Sequence, residues 1–226
     1  MQTMLEAVDA PPDAPPGALP GAPPDESWSL FDLISARPLP IEASQPAQTL
    51  QLSIRALLAS LGFAALYGVA VGCTDPGQAA HNLVALPMVL LLSVGCALPL
   101  GLLAWKVVGE GVRLVDLATS VTTGVFTAAL VLGASAPLLA LYYLTTDYVG
   151  APLAMLVVTA ATVAGVANAF RAGLRRAASA HRLAVLVPLG TMLGCLLAAE
   201  LQLIHLAAPI LPEDTPFDHG IEWWLR

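Results

Sequence analysis

Apolar residues run almost unbroken through five stretches of the chain, 56–73, 83–105, 118–144, 152–170 and 183–208, separated by short polar breaks. A hydrocarbon core about 30 Å thick needs roughly 20 apolar residues of helix to cross it. Each stretch meets or approaches that length, so the pattern predicts an all-α, polytopic transmembrane helix bundle of about five spans. Four or six spans would follow if one stretch is re-entrant or the last is split. Pro87, Pro99, Pro137 and Pro188 fall inside the stretches. Membrane helices tolerate such prolines because neighbouring groups take up the freed carbonyls.

The ends of the chain read differently. Residues 1–48 hold ten prolines, together with seven acids against one base, and so carry −6 of the formal net charge of −7. A segment this poor in bulky apolar residues cannot offset its ordering entropy by burial, and a disordered tail is expected. It lacks the basic and apolar regions of a secretory signal. The predicted organisation is therefore a tail over 1–48, a transmembrane domain over 49–211 and an amphipathic segment over 212–226.

The basic residues give an expected orientation. Arg37 and Arg55 precede the first stretch, Lys106 and Arg113 fall between the second and third, and Arg171, Arg175, Arg176 and Arg182 fall between the fourth and fifth. The breaks at 73–82 and 145–152 contain no Lys or Arg, which leaves Arg226 alone on the opposite side. The positive-inside rule then places the N-terminus in the cytoplasm and the C-terminus outside, in a bacterial cytoplasmic membrane.

Composition agrees: 57% of the residues are hydrophobic and 11% charged, with a mean hydropathy of +0.77. Soluble domains carry about a quarter charged residues, so a water-soluble enzyme is excluded. The acidic balance argues against nucleic acid as a partner. Three cysteines make no disulfide framework.

Small residues recur four apart in three of the stretches. Ala56, Ser60, Ala64, Gly68 and Gly72 line the first, Ala161, Gly165 and Ala169 the fourth, and Gly190, Gly194 and Ala198 the fifth. Such ladders let another backbone approach closely. They predict helix packing within the bundle, or else a seam with a partner subunit or a second copy.

Glu200 is the one acid inside an apolar stretch. Ionisable groups within a membrane are costly and are functional candidates by default. At about 1.5 Å per residue it lies roughly 26 Å from Leu183, near the outer boundary, where anchoring competes with a transport role. Asn168 sits near the inner edge and is expected to be structural. Thr119, Ser120, Thr123 and Thr127 are expected to bond back to their own helix carbonyls, the alternative being a polar seam. No lysine lies within a stretch and no histidine lies mid-membrane, which argues against a retinal Schiff base and a bis-histidine haem. Facing acidic pairs for a metal are absent from the pattern. No catalytic, metal or cofactor residue is assigned and no cofactor is expected. Gly133–Ala136 superficially resembles a serine nucleophile setting without a histidine to match. Cys73 follows a lipobox-like string that begins too far into the chain for lipidation.

Two flanks look built for contact. In DESWSLFDLISA (25–36), Ser27 can cap a short helix that sets Trp28, Phe31 and Ile34 roughly on one side. That side suits the inner membrane interface or a soluble partner's groove. In TPFDHGIEWWLR (215–226), Thr215 and Pro216 open a helix, and Trp223 and Trp224 are interfacial anchors at headgroup depth.

The layout of a proline-rich tail followed by five spans, with ALPMVLLLSVGCALPLGLLAW and then LVDLATSVTTGVFTAALVLGASAPLLALYYL in its middle, resembles the Yip1-like family over about 50–205. The resemblance implies a five-span membrane protein with its N-terminus inside. The Asp-Leu-Tyr-Gly-Pro type motif of the eukaryotic members is missing, and no functional residue is carried over. The expected function is a non-catalytic scaffold, assembly or accessory subunit of a membrane complex that recruits a partner through its tail. The rival from another class is a small transporter or channel component using Glu200 and a polar face of the third span.

Overall fold

The computed structural model describes Leu30 and residues 46–108, 113–146, 151–176 and 182–206. Five helices account for nearly all of them, and no strand occurs among the described residues. We number them α1 (Pro46–Val71), α2 (Pro76–Val108), α3 (Leu114–Thr145), α4 (Ala151–Arg176) and α5 (Arg182–Leu206). All five are long and apolar enough to cross a membrane. The chain is thus an all-α, multi-pass membrane protein.

The helices run further than the apolar stretches, and local chemistry explains where they begin. Most of the 73–82 break, expected to be a loop, is helix: α2 begins at Pro76 rather than near 83. Asp75 supplies the cap, its Oδ1 and Oδ2 accepting from the backbone N–H groups of Gly77 (3.1 Å) and Gln78 (3.2 Å). Pro76 occupies the first helical position, where its missing N–H costs nothing. Helix α4 likewise runs past 170 to Arg176, and Arg175 and Arg176 in its last turn complement the negative end of the helix dipole. At the start of α3, Asp116 complements the positive end, and Arg113 holds it in a bidentate pair at 2.9 and 3.1 Å. That pairing raises the Arg113 guanidinium above its ordinary value. The apolar pattern marks the hydrocarbon-crossing part of each helix, whereas caps and terminal charges fix its ends. The internal prolines are accommodated within continuous helices.

Neighbouring helices close a ring in the order α1, α2, α5, α4, α3 and back to α1. Close approaches give the directions. Gly68 and Gly72 near the end of α1 meet Asn82 and Ala79 near the start of α2, so these helices are antiparallel. Gly124 of α3 meets Gly165 and Ala169 of α4, and Gly173 of α4 meets Leu189 and Val185 of α5, again antiparallel. Helices α1 and α3 run parallel: Phe126 packs with Leu52 and Ala56, while Leu139 and Tyr143 pack with Tyr67 and Val71. All the described basic residues, Arg55, Lys106, Arg113, Arg171, Arg175, Arg176 and Arg182, consequently lie toward one end of the bundle. We call it the basic end.

Three apolar clusters fill the ring. One joins α2, α3, α4 and α5 through Ala97, Val121, Val125, Ala169, Leu189 and Met192. A second joins α1, α3 and α4 at the far end through Tyr67, Leu139, Tyr143 and Ala154. The third, at the basic end, sets Leu52 and Ala56 against Phe126, with Leu30 of the N-terminal segment packed onto it.

Candidate functional site

Small residues decide how closely the helices approach. Along α1, Ala56, Ser60, Ala64, Gly68 and Gly72 are all buried. A Cβ on Gly68 would lie 2.5 Å from the Asn82 carbonyl oxygen, and one on Gly72 would lie 2.7 Å from the Ala79 nitrogen. At those distances backbone meets backbone, and no side-chain adjustment relieves a clash. The α4 ladder is closed in the same way. A Cβ on Gly165 would stand 2.8 Å from the Gly124 carbonyl oxygen, and one on Gly124 equally close to the Gly165 oxygen. These two glycines are the crossing point of α3 and α4.

The α5 ladder behaves differently. Gly194 and Ala198 are exposed, and no described residue lies within 4 Å of a Cβ built at Gly194. At Gly190 only Phe170 comes near, at 3.9 Å. Helix α5 turns its bulky face inward instead: Val185, Leu189, Met192, Leu193 and Leu196 are buried. They are received by a further ladder on α2, Ser93, Ala97 and Gly101, where a Cβ on Gly101 would meet the Met192 side chain. That ladder has the same four-residue spacing in the sequence, and Pro99 and the larger residues between its members hide it from a scan for glycine.

Serine and threonine hydroxyls within the spans bond back to their own helices. Ser60 donates to the Ala56 carbonyl at 2.8 Å and Ser93 to that of Val89 at 2.7 Å. On α3, Thr119, Ser120, Thr123 and Thr127 donate to the carbonyls four residues back at 2.6–2.8 Å. The expected back-bonding is what these hydroxyls do. Two of them also join α3 to α4. Asn168 Nδ2 donates to Thr127 Oγ1 at 2.7 Å, and Arg176 Nη1 donates to Ser120 Oγ at 3.2 Å. The Tyr67 hydroxyl, which sequence reasoning missed, donates to the Ala154 carbonyl at 3.1 Å and links α1 to the start of α4. A tyrosine on the ladder face of α1, one residue before Gly68, was the available signal.

In the half of the bundle away from the basic end, all five helices line a cavity of about 130 Å³. Its wall is hydrocarbon: Ala64 and Tyr67 of α1, Leu86 and Val89 of α2, Val125 and Ala129 of α3, Val158 and Ala161 of α4, Leu193 and Leu196 of α5. Gly124 and Gly165 bring the α3–α4 crossing to its edge, and Thr162 is a polar member. Glu200 is the one carboxylate on the wall, which carries no Lys, Arg or His. The hydroxyl row Thr119, Thr123 and Thr127 is not part of it. Glu200 and the third-span hydroxyls, paired in the transporter expectation, thus occupy different places.

Among the described residues, no group of three or more His, Cys, Asp and Glu stands close enough to hold a metal ion. Cys73, Cys96 and Cys195 are free thiols. Cys73 lies in the α1–α2 turn, where burial pushes its thiol above the ordinary value. Trp28, Phe31, Ile34, Trp223 and Trp224, the candidate contact residues of the two flanks, lie outside the described residues. In comparisons with known proteins, no family model, no curated protein and no solved structure matches this chain.

Proposed function

We propose that this integral membrane protein is a non-catalytic accessory or assembly subunit of a membrane complex, packing through α5 against a transmembrane helix of another subunit. The supporting observation is the contrast among the ladders. Those of α1, α2 and α4 are covered by helices of this chain, whereas among the described residues Gly194 and Ala198 are exposed and Gly190 meets only the tip of Phe170, leaving a closely approachable backbone. Without a hydrophobic force between helices in lipid, small-residue faces are where transmembrane helices associate. The proposed orientation puts the basic end in the cytoplasm of a bacterial cell, by the positive-inside rule. Leu30 packs at that end against the Leu52, Ala56 and Phe126 cluster, which supports a tail positioned to recruit a soluble partner beside the bundle. Architecture alone suggests kinship with the Yip1-like family. The rival transporter reading would route a path past both Glu200 and the α3 hydroxyls, and the accessory-subunit reading is favoured because the cavity wall holds Glu200 without Thr119, Thr123 or Thr127.

The test is extraction of the tagged full chain in native polymer discs, followed by mass spectrometry of co-purifying proteins. A stoichiometric membrane partner is expected, reduced at least tenfold by Gly194→Leu, together with a soluble partner lost on Trp28→Ala and Phe31→Ala. A partner-free monomer, or a homo-oligomer that survives Gly194→Leu, overturns the reading.

A further inference from the structure

The cavity with Glu200 on its wall is not used by that proposal, and its chemistry is specific. Glu200 is half-buried on this wall, and a carboxylate beside hydrocarbon loses hydration at a cost that a proton or a cation offsets. Two hydroxyls also reach the wall, that of Tyr67, which donates to the Ala154 carbonyl, and that of Thr162. Glu200 brings the wall's carboxylate, the strongest acceptor there for a cationic donor. The volume is a second constraint. A cavity of about 150 Å³ lined by apolar side chains takes a benzene molecule, and this one, at about 130 Å³, suits a body of about six carbons. Access is the third. The close approaches between α4 and α5 gather toward the basic end, at Gly173 with Val185 and Leu189. Farther along, both helices line the cavity, with Ala161 and Thr162 of α4 on one side and Leu197 and Glu200 of α5 on the other.

We propose that this cavity is a binding site for a small amphiphilic amine, its hydrocarbon body held among Val89, Val125, Ala129 and Leu193 and its ammonium paired with the Glu200 carboxylate. In surroundings of low dielectric that pairing is worth far more than it is in water. It also gives selectivity, since a neutral molecule of the same shape leaves the carboxylate unpaired.

The experiment titrates 4-fluorobenzylamine, protonated at neutral pH, into the full chain in lipid nanodiscs and follows the fluorine resonance, with protein-free nanodiscs correcting for partition into lipid. 4-Fluorotoluene is the neutral control. The amine should bind saturably and at least tenfold more tightly than fluorotoluene. Glu200→Gln should remove that preference, Glu200→Asp should keep most of it, and Thr162→Leu, which fills the cavity, should weaken both probes. Unchanged thermal unfolding of the Gln variant separates lost binding from lost fold. Equal binding of the two probes, amine binding indifferent to Glu200→Gln, or no saturable binding above protein-free nanodiscs would each overturn the assignment.

Discussion

Helices α1 and α5 carry the same motif and use it in opposite ways. Both place small residues every fourth position, yet Gly68 and Gly72 are pressed against the backbone of α2 while Gly194 is exposed, with no neighbour on another helix among the described residues. The difference lies on the remaining faces of each helix. Away from its ladder, α1 presents Leu58 and Leu66, exposed to what would be lipid. On α5 the side opposite the ladder holds Leu189, Met192, Leu193 and Leu196, and these bulky residues fill the space that the Ser93, Ala97 and Gly101 ladder of α2 leaves open. Where a bulky face and a small face compete for the interior, each is placed by its complement on the neighbour. A glycine ladder is thus a capacity for close approach, and the partner's bulk decides whether it is used within the chain.

Substitutions that add the same bulk to each ladder should break this comparison apart. The largest effect is expected from Gly68→Val or Gly165→Val, since even the Cβ lies 2.5–2.8 Å from a backbone oxygen of the facing helix. Overpacking of this kind costs about 3 kcal/mol, the upper part of its range, read as early unfolding when SDS is titrated into protein held in bicelles. Asn168→Ala should cost less. It removes one hydrogen bond to Thr127 across α3 and α4, and such bonds average about 0.6 kcal/mol in membranes. The smallest effect belongs to Gly194→Ala, which meets no described atom. Its stability should be unchanged or raised by up to about 1 kcal/mol through helix propensity, even as the α5 partner is weakened in co-purification. If Gly194→Ala destabilises the isolated chain as Gly68→Val does, the two ladders are equivalent and the comparison fails.

Much of the fold was legible because the solvent for these helices is simple. Long apolar runs report spans whatever packs against them, and the back-bonding of Thr119, Ser120, Thr123 and Thr127 follows from serine and threonine chemistry in any helix. The start of α2 was legible too, through Asp75 and Pro76, but apolar run length is blind to a polar first turn. What periodicity could not supply is which ladder faces which neighbour. The role of Ser93, Ala97 and Gly101 depends on Met192, nearly a hundred positions away in the chain. Glu200 shows the same limit: its depth along α5 was read from residue count, whereas its place on a cavity wall is made by side chains from four other helices.

The central claim is that the ring is closed by its own helices along the third span, so that no aqueous path passes the α3 hydroxyls. The most direct test places a cysteine there, Thr123→Cys, in a chain whose Cys96 and Cys195 are replaced by alanine and whose Cys73 remains as a control in the α1–α2 turn. Because burial raises the Cys73 thiol, labelling with a membrane-impermeant maleimide is run at mildly alkaline pH, on intact cells and on inverted vesicles. The account predicts that Cys73 is labelled in intact cells and that the substituted position 123, fully buried at 0% exposure, is labelled from neither side until SDS opens the bundle. Labelling at 123 from either face without SDS would contradict it and restore a conducting path.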